Sequence, residues 1–149
     1  MPLRNQKVTL EQLQKSIRIG KTSKKYSDKC TERCKESVLI VDDDNMNLIA
    51  LYGLLLGFNI NSTVASSGQQ AVQLFQEKYK STCCTNKYEM VLTDIQMPGM
   101  DGFRVAECIR ATEMSWAASV SKKSSIGKVK TQQACPIIAV TASFSAEVE

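Results

Sequence analysis

Four short apolar runs, separated by stretches of helical periodicity, organise the chain from residue 37 onward. Val38-Leu39-Ile40-Val41 is apolar without alternation and mostly β-branched, which suits a strand buried on both faces of a sheet. Asn45 to Leu56 carries Met46, Ile49, Ala50 and Leu54 at helical positions and is closed by Gly57. Phe58 to Ala65 is a second strand candidate, followed by a Ser66-Ser67-Gly68 turn. Gln69 to Tyr79 then reads as a helix with Val72, Phe75 and Tyr79 on one face. After a polar loop over 80–87, Met90 to Asp94 is a third buried strand that ends in a carboxylate. Pro98-Gly99 punctuates the next loop, and Gly102 to Thr112 predicts a further helix. Residues 114–135 read as a low-complexity insertion with no useful period, and Pro136 to Thr141 is a fourth strand. The order βαβαβαβ predicts an α/β fold, a parallel sheet with helices on both faces.

The preceding residues differ in texture. Residues 1–36 are polar, with one helical signal: Thr9-Leu10-Glu11-Gln12 matches a capping box, Leu10, Leu13 and Ile17 share a face, and Gly20 offers a stop. Lys21 to Glu36 reads as a solvated basic linker, so 1–36 is taken as a leader and 37–149 as the folded domain. Charge follows the same division. The leader holds ten Lys and Arg against four Asp and Glu, and the remainder nine against eleven. The net charge of +4 therefore gives no reason to expect nucleic-acid binding by the whole chain. No apolar run approaches the ~18 residues that would cross a bilayer, and the N-terminus lacks a secretory pattern. Six cysteines at irregular spacing do not make a disulfide framework, and neither Cys30 with Cys34 nor Cys83-Cys84 has metal-site spacing. A cytoplasmic setting with free thiols is expected. Histidine is absent, which excludes an imidazole base, a His-containing zinc site and a phosphohistidine on this sequence.

The candidate chemistry lies at strand ends. Asp42 and Asp43 follow the first strand, Asp94 the third, and Thr141 the fourth. In open parallel sheets, ligands bind in the crevice beyond those ends. Three carboxylates gathered there repel one another unless a cation neutralises them, and an all-oxygen set favours Mg²⁺ over zinc or copper. A hydroxyl at Thr141 is placed to donate to an anion held by that metal. Taken singly, Asp42 to Asp44 could cap a helix, Asp94 a turn, and Thr141 could be an ordinary strand residue. Their joint placement is what points to a phosphate site.

Val38 to Asp44 with Asn47, then Val91-Leu92-Thr93-Asp94-Ile95-Gln96-Met97-Pro98-Gly99-Met100-Asp101-Gly102, then Pro136 to Ala142 resemble the receiver domain of two-component response regulators. The resemblance covers residues 37–149, with two insertions, and excludes the leader. It implies a flavodoxin-like (βα)5 fold, doubly wound and here cut short after the fourth strand. It implies that Asp94 is the phosphoacceptor, attacking a phosphohistidine on a histidine kinase or a histidine phosphotransfer protein. Mg²⁺ would be held by Asp43, Asp94 and the backbone carbonyl of Gln96, with Asp42 acting through a metal-bound water. Thr141 would hydrogen-bond the phosphoryl group and switch, and Ala142 would contact it through its backbone. Such a domain catalyses its own phosphorylation but is not a turnover enzyme alone. The chain would then be the C-terminal, cytosolic part of a hybrid sensor histidine kinase, itself without a membrane segment.

The family pattern also holds a fifth strand ending in a lysine, whereas this sequence has no lysine after Thr141 and stops at Glu149. A truncated gene model or a fragment is the expectation, with the edge of the fourth strand and an apolar face of the first helix exposed. Two alternatives stay open. A haloacid-dehalogenase-type phosphohydrolase would use Asp42-x-Asp44, though Met46 is atypical there and the Asp94 to Gly102 loop is left without a role. A pseudo-receiver would only bind a partner. A calcium loop starting at Asp43 fails, because Leu48 stands where Gly is required and Leu54 where a bidentate Glu belongs.

Overall fold

The structure is a computed structural model that describes residues 36–80, 87–123 and 133–141. The leader helix signal, Cys30, Cys34, Cys83, Cys84 and Ala142 lie outside the described residues. Four parallel strands form one sheet in the order β2-β1-β3-β4, with β1 Val38–Val41, β2 Ser62–Ala65, β3 Met90–Thr93 and β4 Ile137–Ala139. The helices between them are α1 Asn45–Gly57, α2 Gly68–Lys80 and α3 Gly102–Lys123. Each alternates with a strand, as the hydrophobic pattern predicts.

The unbroken apolar run of β1 is explained by two cores, one on each face. Val38 and Ile40 pack with Leu48 and Tyr52 of α1. Leu39 and Val41 point the other way, into a larger core with Ala71, Phe75 and Tyr79 of α2 and Val105 and Ile109 of α3. Because side chains alternate across a strand, a central strand covered on both faces must be apolar at every position.

Local chemistry sets the helix ends. Asp44, Ser67 and Asp101 precede the three helices. Asp44 Oδ1 accepts from Met46 N at 2.7 Å, Ser67 Oγ from Gln70 N at 3.3 Å, and Asp101 Oδ1 from Arg104 N at 2.7 Å. The C-terminus of α1 is closed by Asn59 rather than by Gly57. Asn59 adopts φ 57°, its N–H reaches Leu56 O at 2.8 Å, and the Ile60 N–H reaches Leu55 O at 2.9 Å. This left-handed cap occupies residues 58–60, so β2 begins at Ser62 instead of the predicted Phe58.

The largest departure concerns α3. The sequence pattern ends this helix at Thr112 and assigns 114–135 to an insertion, whereas the helix continues to Lys123. Trp116 explains the first added turn, since its ring meets Tyr79 of α2 edge-on at a centroid distance of 5.8 Å. The segment entering β4 is not free of the core either. Cys135 is buried, its N–H donates to Glu113 at 2.7 Å, and its carbonyl accepts from Arg110 at 2.8 Å. At the far edge, Ile138 and Val140 are exposed, as are Met46, Leu54 and Phe58 around α1.

Candidate functional site

Strand register assembles the site. Val41 pairs with Thr93 across β1 and β3, so Asp42 and Asp94 leave the sheet at the same level. Backbone bonds hold both at that level: Asp42 N donates to Ala65 O at 3.1 Å and Asp94 N to Val41 O at 2.9 Å. One carboxylate oxygen from each of Asp42, Asp43 and Asp94 lies within 4.8 Å of the others. On the other side of β3, Thr93 pairs with Ala139 and Val140 N donates to Thr93 O at 2.9 Å. Thr141 therefore sits one residue beyond the level of Asp94, on the adjacent strand end.

The three carboxylates differ in how they are held. Asp42 is buried, and both its oxygens are engaged: Oδ1 accepts from Asp44 N at 2.8 Å and Oδ2 from Asn47 Nδ2 at 3.1 Å. Burial pushes the Asp42 carboxyl above its ordinary value, the two hydrogen bonds pull it down, and the charges of Asp94 and Asp43 push it up again. Asp94 is half-buried, and its carboxylate Oδ1 accepts from Ile95 N at 2.7 Å. Asp43 is exposed. An all-oxygen trio in which Asp94 and Asp43 raise the cost of ionising Asp42 fits a hard divalent cation and does not fit zinc or copper.

The loop after Asp94 is tied back against it. Gly102 N donates to Ile95 O at 2.9 Å, and the Gly102 Cα lies so close to the Asp94 carbonyl that no side chain fits there. A Cβ on Gly102 would stand 3.0 Å from Ile95 Cα and 3.1 Å from the Asp94 carbonyl carbon. Gly99 takes φ +80° after Pro98, the backbone turn this dipeptide predicts. Gln96 lies in this loop and is exposed.

Of the residues singled out in the sequence, Asp42, Asp43 and Asp94 come together, with Gln96 and Thr141 on the loop and strand end beside them. Ala142 lies outside the described residues. Asp44 does not join the trio: its carboxylate caps α1, which leaves the Asp42-x-Asp44 hydrolase alternative without its second acid. The resemblance includes Asn47 without giving it a role, and sequence reasoning missed its tie to Asp42; the signal was an amide in the first turn of the helix that follows the acidic run.

Comparison with known proteins agrees with this fold. A model of the response regulator receiver domain matches residues 38–148. The sensor protein GacS of Pseudomonas syringae pv. syringae is 33% identical over 105 residues, 70% of this chain and 9% of that protein. The chain spans about a tenth of the length of the curated relatives it matches. Among solved structures, one is the complex of the Saccharomyces cerevisiae histidine phosphotransfer signaling protein Ypd1 with the receiver domain of its downstream response regulator Ssk1. It has a TM-score of 0.56 at 28% identity and covers 74% of this chain and 66% of the other. Another is the receiver domain of the Arabidopsis thaliana histidine kinase CKI1, complexed with Mg²⁺ and BeF₃⁻. Its TM-score is 0.57 over 74% of this chain and 68% of the other; at 24% identity it speaks to the fold alone.

Proposed function

The chain belongs to the response regulator receiver family, and from that membership we propose that Asp94 accepts a phosphoryl group from a partner's phosphohistidine. The partner is a histidine kinase or a histidine phosphotransfer protein, and this sequence, having no histidine, supplies the aspartate half of the exchange. The observation that carries the reading is the convergence of Asp42, Asp43 and Asp94 within 4.8 Å at the carboxyl end of the sheet. A second residue of the reading, Thr141, is supported by its register position beside Asp94.

An Asp94 carboxylate oxygen attacks phosphorus while the P–N bond to the imidazole breaks. The ring nitrogen keeps the electron pair and Asp94 becomes an acyl phosphate. The Ile95 N–H orients the Asp94 carboxylate by its bond to Oδ1, and Thr141 donates its hydroxyl to the transferred group. Asp43, Asp94 and the Gln96 backbone carbonyl would hold Mg²⁺, with Asp42 supporting the site beside them. Bound Mg²⁺ supplies the positive charge that lets an anionic nucleophile approach an anionic phosphoryl group. Ala142 completes the reading as a backbone contact to that group. The parent protein is a hybrid sensor histidine kinase and the receiver works in the cytoplasm; among the described residues no helix is long and apolar enough to cross a membrane.

Incubation of the full chain with acetyl phosphate and MgCl₂, read by intact-mass spectrometry, tests the assignment. One phosphoryl group per chain is expected, absent with EDTA and absent in Asp94→Asn. Labelling that persists in Asp94→Asn, or no labelling of the parent chain, overturns it.

A further inference from the structure

Asn47 sits in the first turn of α1, on an exposed stretch where a polar side chain ordinarily faces water. Its amide turns back instead, and Nδ2 donates to Oδ2 of Asp42 at 3.1 Å. The other oxygen, Oδ1, accepts from Asp44 N at 2.8 Å. We propose that Asn47 is a positioning residue for the divalent-cation site: it clamps the buried Asp42 carboxylate so that the remaining lone pairs face the cation and its waters. This inference rests on the Mg²⁺ reading given above and adds to it a residue that touches neither metal nor phosphoryl group.

The residue type suits the task. A carboxylate oxygen can accept more than one hydrogen bond, so a single N–H to each oxygen fixes the plane of the group and leaves acceptor capacity over. A lysine or arginine at position 47 would hold Asp42 equally well but would compete with the cation for its charge. An acid there would add a fourth like charge to a site that already gathers Asp42, Asp43 and Asp94. A neutral amide provides the bond without altering the charge that attracts the metal. The Asp44 backbone bond alone leaves Asp42 free to rotate about a single contact. Asn47 supplies the second point.

Loss of an outer partner that orients a metal-binding group typically weakens metal affinity ~10- to 100-fold, and the surviving Asp44 bond places the expectation near the lower end, about tenfold. The test is an amide NMR titration of the ¹⁵N-labelled full chain with MgCl₂, following the Asp43, Asp44 and Ile95 signals. The parent, Asn47→Ala, Asn47→Leu, Asn47→Gln and Asp43→Asn are compared. Ala and Leu are better helix formers than Asn, so a residue that serves only α1 would leave the Mg²⁺ Kd unchanged and raise thermal stability on substitution. A positioning residue gives a Kd about tenfold weaker in Ala and Leu with metal-free thermal stability kept. Gln, which keeps the N–H donor on a longer arm, restores most of the affinity. Unchanged Kd in Ala and Leu overturns the inference while the Mg²⁺ reading stands, provided the parent titrates and Asp43→Asn does not. A parent chain whose signals do not shift with Mg²⁺ overturns both.

Discussion

Replacing Gly102 with alanine sets two effects of opposite sign against each other, and the structure decides which wins. Gly102 opens α3, and a Gly-to-Ala change in a helix ordinarily stabilises by about 0.4–1 kcal/mol, because the unfolded chain has fewer conformations to lose. Here the added Cβ collides with the Asp94 carbonyl and stands 3.0 Å from Ile95 Cα, both backbone atoms that cannot swing aside as a side chain would. Overpacking of this kind costs about 1–3 kcal/mol. The net expectation is a loss of about 1–2 kcal/mol, which in a chain of this size lowers Tm by roughly 3–8 °C. The collision is relieved by moving the Asp94–Ile95 peptide, which carries the proposed phosphoacceptor and the N–H bonded to its carboxylate. A displacement of this sort slows transfer to Asp94 by about tenfold or more. Gly53, inside α1, is the matched control, because a Cβ there would have nothing within 4 Å. Gly53→Ala should gain about 0.5–1 kcal/mol and leave labelling unchanged. Circular-dichroism melts and acetyl phosphate labelling of both variants read the two quantities. A Gly102→Ala chain as stable as the parent, or one that labels at the parent rate, refutes the reasoning.

Three further outcomes follow from the packing around α3. Glu113→Ala removes the acceptor of the Cys135 N–H, bonded at 2.7 Å, and should cost about 1–3 kcal/mol in a urea melt, with Glu113→Gln milder because it keeps an acceptor. Cys135 should resist alkylation in the folded chain while Cys108, half-buried, reacts, as mapped by mass spectrometry; burial, with the Glu113 charge adding to it, pushes the Cys135 thiol up to about 11 from its ordinary 9.0. The same shift has a sign for stability. A thiol whose folded value is raised contributes stability that is fully present below pH 9 and lost as pH rises toward about 11, so Cys135→Ser should flatten that part of the stability–pH profile.

What the sequence shows of the fold is what has a period or an unbroken apolar run. β1 is legible because a strand covered on both faces must be apolar throughout, and α2 because Val72, Phe75 and Tyr79 recur along one stripe. The end of α3 is not legible for the converse reason. Beyond Thr112 the added turns are held by Glu113, which accepts from the Cys135 N–H, and by Trp116, whose ring meets Tyr79 and Lys87, with no apolar repeat to mark them. A stretch such as Ser-Trp-Ala-Ala-Ser then looks like low complexity although it is helical. At the other end of α1, Gly57 looks like the stop because glycine is the commonest left-handed cap, while Asn59, which tolerates the same backbone, takes that role two residues later.

The site divides along the same line. Carboxylates at strand ends are legible because a parallel sheet has only one carboxyl edge, so Asp42 and Asp94 must face the same crevice once their strands are adjacent. Adjacency itself is not written in the sequence order, for β1 lies between β2 and β3, and it is this crossover that brings residue 42 level with residue 94. The contacts that tune the trio are illegible for a different reason: each joins residues across a turn, with no repeat to betray it. Asn47 reaches back five residues to Asp42, and Gly102 presses on a carbonyl eight residues earlier. The first is an amide in the opening turn of α1, the second a Cα held against the loop before α3. A sequence that keeps every acid but changes either of these two would still look competent, and the Mg²⁺ titration and the Gly102→Ala melt are the measurements that would expose it.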